Sequence, residues 1–189
     1  SDDASGTAVE IYLDTSGSMP NPAAATNAMT LAAQIVATAA LRNGGRVKAI
    51  VYSMDAEESP WLLAEDAARE FLLRYSGGGT RFPFPTLEKM AGERADVLRA
   101  VISDQDFLAN VQPPKPSKNA PAPAGEPMAI LTSAIARSRQ LIALLALGSP
   151  DEKRARTVLA PALADPRFRL ASVRDVSRLP DAAAKLTQA

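Results

Sequence analysis

The residues best equipped for chemistry lie in the run Asp14-Thr15-Ser16-Gly17-Ser18. An Asp followed by hydroxyls at alternate positions, Ser16 and Ser18, can present three oxygens to one point. Two further segments end in the same chemistry: Gly77-Gly78-Gly79-Thr80 lifts a hydroxyl on a Gly-rich loop, and Val101-Ile102-Ser103-Asp104 delivers a carboxylate. The chain has no histidine and no cysteine. Ser-His-Asp catalysis, thiolate nucleophiles, disulfides and imidazole or thiolate metal ligands are therefore all excluded. Any metal held here is held through oxygen, which selects a hard cation such as Mg²⁺, Mn²⁺ or Ca²⁺.

These segments act together only if the fold brings them to one place. Short apolar β-rich runs alternate with helical patterns along the chain, the signature of a parallel sheet covered by helices. Val9–Leu13 reads as the first strand, ending at Asp14. A helix comes next, with Ala28, Leu31, Ala32, Ile35, Val36 and Ala39 on one face, stopped by Asn43-Gly44-Gly45. Val47–Ser53 reads as the second strand, Trp61-Leu62-Leu63 as a short antiparallel edge strand, and Ala64–Tyr75 as a helix broken by Ser76-Gly77-Gly78-Gly79. After a Pro-interrupted stretch, Asp96–Ser103 is a buried strand ending at Asp104. Met128–Arg139 is a helix and Leu141–Leu147 a strand. Ser149-Pro150-Asp151-Glu152 is a capped start to a helix that runs to about Ala164, bent or shortened by Pro161. Phe168–Val173 is the last strand and Asp181–Thr187 the last helix. In such an open sheet, ligands bind at the carboxyl ends of the strands, and if strands one and four are neighbours all three chemical segments meet at one crevice there.

The chain of 189 residues fits one domain, with a Pro-rich loop at 112–127 that its six prolines keep out of helix or central strand. Lys115 and Lys118 on that loop are suited to meeting acids of a partner near the site. Twenty-one basic and twenty-one acidic residues cancel, so neither nucleic acid nor an anionic membrane is indicated as partner. No run is long and apolar enough to span a bilayer, and no signal segment is visible. Ser1 stands where an initiating Met would be expected, as in a trimmed piece, which weakens the argument from the missing signal.

Asp14, Ser16 and Ser18 after the first strand, Thr80 in a Gly-rich loop and Asp104 at a later strand end resemble the von Willebrand factor type A (vWA) family and its metal-ion-dependent adhesion site. The resemblance covers nearly the whole chain. It implies a six-stranded, mostly parallel α/β sheet of order 3-2-1-4-5-6, with strand three antiparallel at the edge and helices on both faces. It also implies Mg²⁺ held by Asp14, Ser16, Ser18, Thr80 and Asp104. The hydroxyls would leave the ion's charge largely uncancelled, the carboxylates would orient them, and an Asp or Glu of a partner protein would complete the coordination. Intracellular relatives serve as partner-binding subunits of metal chelatases and of ATPase-linked assemblies, so the resemblance implies a MoxR-type AAA+ ATPase as a candidate partner. The absence of cysteine makes the cytoplasm the expected compartment. Family members commonly carry Gly after the last Asp; here Gln105 stands there, with Asp106 next as an understudy to Asp104.

Each segment alone has a plainer explanation, since Asp and Ser after a strand are common turn and cap residues. The three in order favour the metal site. The first motif is also similar to the Asp-Thr-Gly-Ser of aspartic proteases, but Ser16 intrudes, and those enzymes need a second copy on a mostly β scaffold. The Gly-rich run lacks the Gly-Lys-Ser/Thr ending of a phosphate loop. A Mg²⁺-dependent hydrolase such as a phosphatase is the alternative function. Against it stands the absence of a nucleophile or base beyond the metal's own ligands, so the chain is expected not to be an enzyme.

Overall fold

The computed structural model describes residues 6–16, 27–112, 118–119 and 126–188. Six strands form one sheet of order β3-β2-β1-β4-β5-β6. They are β1 (Ala8–Asp14), β2 (Arg46–Tyr52), β3 (Ala56–Glu58), β4 (Val97–Asp104), β5 (Gln140–Ala146) and β6 (Phe168–Val173). β3 runs antiparallel to β2, and all other pairs are parallel. Every residue of β1 is buried, as the central position of the strand demands. Alternation along β1 divides the core. Val9, Ile11 and Leu13 pack beneath α1 (Ala28–Arg42), α2 (Glu65–Leu72) and α8 (Leu179–Thr187). Tyr12 points to the opposite layer of α3 (Phe84–Glu93), α4 (Asp106–Val111), α5 (Glu126–Ala136), α6 (Ser149–Val158) and α7 (Ala160–Leu163).

Several elements differ from the sequence reading. The antiparallel edge strand is Ala56–Glu58, whereas Leu62 makes only an isolated bridge to Val47. α1 buries Met29, Thr30, Ala32, Ala33, Val36 and Ala37, so its inward face is rotated from the expected one and Leu31 is exposed. The Pro-interrupted stretch contains α3, because Pro83 and Pro85 fall at its cap and first turn, where a missing N–H costs nothing. Gly148, not Ser149, is the cap of α6. The expected interruption near Pro161 is present, the break falling at Leu159 between α6 and α7. The Pro-rich loop ends before Glu126, where α5 begins; Lys115 and most of that loop lie outside the described residues.

Glu10 and Arg99 are direct ladder partners across β1 and β4, and both side chains are buried. Arg99 Nε donates to Glu10 at 2.8 Å. Its other nitrogens donate to the carbonyls of Met90, Arg94 and Arg137 and to the Ser138 hydroxyl. Tyr12 donates to the same carboxylate. One buried cation thus ties the chain after α3 and α5 to the sheet centre.

Candidate metal centre

β1 and β4 are hydrogen-bonded neighbours and parallel, so Asp14 and Asp104 emerge side by side at their carboxyl ends. Asp106, the first residue of α4, joins them: one carboxylate oxygen from each of Asp14, Asp104 and Asp106 lies within 4.8 Å of the others. Asp14 Oδ1 accepts the Ser16 backbone N–H at 2.8 Å, and its Oδ2 accepts the Ser103 hydroxyl at 2.7 Å. Asp104 accepts the backbone N–H of Asp106 at 2.9 Å. Thr80 Oγ1 donates to Asp106 Oδ2 at 3.1 Å, which brings the Gly-rich loop to the same cluster.

That loop is pinned at both ends. Gly77 and Gly78 adopt φ of +67° and +83°, conformations that side-chain-bearing residues rarely take. They let Gly77 N–H reach the Thr15 carbonyl, while Arg81 N–H bonds that of Ser53. Asn110 of α4 accepts from Phe82 N–H and donates to the Thr80 carbonyl. Beneath, the Phe82 ring packs against Tyr12, Tyr52, Phe84 and Phe107.

Of the expected site residues, the structure gathers Asp14, Ser16, Thr80 and Asp104 at one end of the sheet, whereas Ser18 lies outside the described residues. Asp106 is a full member of the cluster rather than a substitute for Asp104. Gln105 has φ of −59° and ψ of −19°, an ordinary helical conformation, so a glycine is not required and the turn is undisturbed. Ser103, which steers Asp14, was not singled out in the sequence; alternation along β4 would have been the signal for its direction.

Electrostatically the cluster is out of balance. Among the described residues, none of the ion pairs includes Asp14, Asp104 or Asp106. Burial raises the pKa of Asp14 against the hydrogen bonds from Ser16 and Ser103. Burial, reinforced by the charges of Asp106 and Asp14, raises Asp104 from 3.8 to about 6. Tyr52 Oη is buried beside them without a well-formed hydrogen bond among the described residues, and burial and then the Asp14 charge push its pKa well up, against an interaction with the Ser103 hydroxyl. An oxygen-only donor set and buried carboxylates without a paired cation both fit a hard cation with its waters.

A six-stranded doubly wound sheet with acids clustered at its carboxyl edge defines an α/β domain. The solved structures it resembles place the fold more narrowly, as that of vWA domains. A von Willebrand factor type A protein from Catenulispora acidiphila superposes with TM-score 0.61 at 16% identity, over 96% of this chain and 42% of that one. This chain thus spans less than half of that protein. An aerotolerance-related membrane protein from Bacteroides fragilis gives 0.58 at 16% identity, over 96% and 98% of the two chains. The SpRpn10 VWA domain gives 0.56 at 9%, over 94% and 93%. No protein-family model matches the chain, and neither does any curated protein sequence. Among the described residues, no helix is long and apolar enough to cross a membrane.

Proposed function

We propose that this chain is a divalent-metal-dependent protein–protein interaction module. The observation that carries the reading is the convergence of Asp14, Asp104 and Asp106, with no counter-cation among the described residues. The residues that would hold Mg²⁺ (or Mn²⁺ or Ca²⁺) are Ser16, Ser18 and Thr80 through hydroxyls and Asp14 and Asp104 through carboxylates, and the proposal adds Asp106, whose carboxylate lies beside theirs. The bound ion would supply an electrophilic position that an Asp or Glu of a partner protein completes. The chain's own part is positional. Ser103 and the Ser16 N–H fix the Asp14 carboxylate, the Asp106 N–H fixes Asp104, and Asn110 holds the Thr80 loop over both.

The chain is proposed to bind rather than to catalyse, because no histidine, cysteine or separate acid–base pair accompanies the cluster. A multiprotein assembly containing a MoxR-type AAA+ ATPase is the proposed setting. Titration calorimetry with Mg²⁺ and Mn²⁺ tests the site: the wild type should bind, and Asp14→Ala and Thr80→Ala should not bind equally well. Equal affinity in all three proteins would remove the assignment. Metal-dependent turnover of a phosphoester, lost in Asp14→Ala, would show a hydrolase instead.

A further inference from the structure

The opposite end of the same sheet carries the opposite charge. Arg46 begins β2, Arg94 caps α3, and Arg139 precedes β5, its N–H bonded to the Val97 carbonyl. With Thr7 and Asp96 they line an open cavity of about 240 Å³ at the amino ends of the strands. From there β1 rises about 20 Å to Asp14 at roughly 3.3 Å per residue, so the two ends are separate sites.

Two features make this more than a scatter of surface arginines. The guanidinium carbons of Arg46 and Arg94 lie 5.3 and 5.5 Å from the centre of the Trp61 ring, and Lys48 Nζ lies at 5.8 Å. Stacking on an aromatic face holds a guanidinium in place and leaves its in-plane N–H groups free. Those donors are unspent: among the described residues neither the Arg46 nor the Arg94 side chain donates a hydrogen bond or joins an ion pair, while Arg139 gives one bond to Thr7 at 3.2 Å. The backbone beneath is fixed as well, because the Arg94 carbonyl accepts from buried Arg99 at 2.7 Å. Among the described residues, Asp96 is the only acid lining the cavity.

We propose that Arg46, Arg94 and Arg139 form a binding site for a free, multiply charged phosphate-type oxyanion such as a diphosphate. Planar guanidinium forks match tetrahedral oxyanions in pairs of parallel hydrogen bonds, and three of them converge here on a cavity of fitting size. Trp61, the only tryptophan of the chain, reports on occupancy because two of the three arginines rest on it.

The test is a fluorescence titration with inorganic pyrophosphate in buffer free of divalent metal, repeated by calorimetry. Wild type and Asp14→Ala should show the same saturable binding, which separates this site from the metal centre. Arg46→Gln and Arg94→Gln should each weaken it about tenfold or more, as loss of a charge-assisted pair implies. Arg139→Gln, an exposed substitution, should do likewise even if the other two variants unfold. Arg74→Gln, whose arginine pairs with Glu57 elsewhere, should bind as wild type does. Absence of saturable binding, or equal weakening in Arg74→Gln, would overturn the proposal. Binding that appears only after Asp2→Asn and Asp3→Asn would overturn it too, by showing that the arginines serve the chain's own amino-terminal acids.

Discussion

Glu10 and Asp14 stand on the same strand, and the fold treats their charges in opposite ways. Glu10 is answered across the ladder by Arg99, whose remaining donors are all spent on carbonyls and a hydroxyl. Asp14 is answered across the same ladder by Ser103, a neutral donor, and its charged neighbours are Asp104 and Asp106. A chain able to supply a buried guanidinium at one point of β4 supplies none a few residues on. Burying carboxylates without a counter-charge is costly, and a fold retains such a cost where something external offsets it. The difference separates a charge answered within the fold from charges that, under the proposed function, await a cation.

Breaking the satisfied end should give the largest effect. Arg99→Met leaves Glu10 buried without its partner and strips hydrogen bonds from three carbonyls, so a loss of about 3–5 kcal/mol is expected in urea denaturation. Asp14→Ala should instead leave the metal-free protein folded, with stability near wild type, while Mg²⁺ affinity falls about a hundredfold, roughly 2.7 kcal/mol, by calorimetry. If the two variants destabilise alike, the distinction between the two ends fails.

The pH dependence is smaller. Asp104 has its pKa raised to about 6, so the folded protein binds protons more readily than the unfolded chain between 3.8 and 6. For this group the sign is fixed: metal-free stability falls as pH rises through that window, and acidification restores it. Metal-free wild type should therefore melt at a higher temperature near pH 5 than near pH 7, after correction by Asp104→Asn, in which that component is absent. Metal affinity should run the other way and drop below pH 6, since protonated Asp104 no longer orients a ligand. The smallest change is Tyr52→Phe, which removes a buried hydroxyl without a well-formed hydrogen bond among the described residues. It should change the melting temperature of the metal-free protein little, because no well-formed hydrogen bond is lost.

Much of the fold was legible because the parallel strands are buried on both faces and read as apolar runs between breakers. Phe168–Val173 matches to the residue, and Asp104 ends β4 as expected. What escaped depends on partners distant in sequence. β3 reads Ala-Glu-Glu, with no long apolar run to mark it, and is a strand only because β2 offers a free edge. α3 was hidden by prolines that are harmless at a helix start. Asp14, Ser16, Thr80 and Asp104 could be chosen by residue type and position, but Ser103 and Asp106 take their roles from register and from the turn into α4. The Glu10–Arg99 pair was likewise invisible, since nothing in either segment names the other as its ladder partner.

The bond from Ser103 to Asp14 spans 89 residues of sequence, as does that from Arg99 to Glu10. β1 can pair early with β2, but its other edge waits until β4 has been synthesised and a long loop has closed. A ribosome-bound chain that stops short of β4 therefore has Asp14 without Asp104, Asp106 or Ser103. The acidic cluster is thus completed late in the life of the nascent chain. Its completion marks the moment when the middle of the sheet has zipped shut.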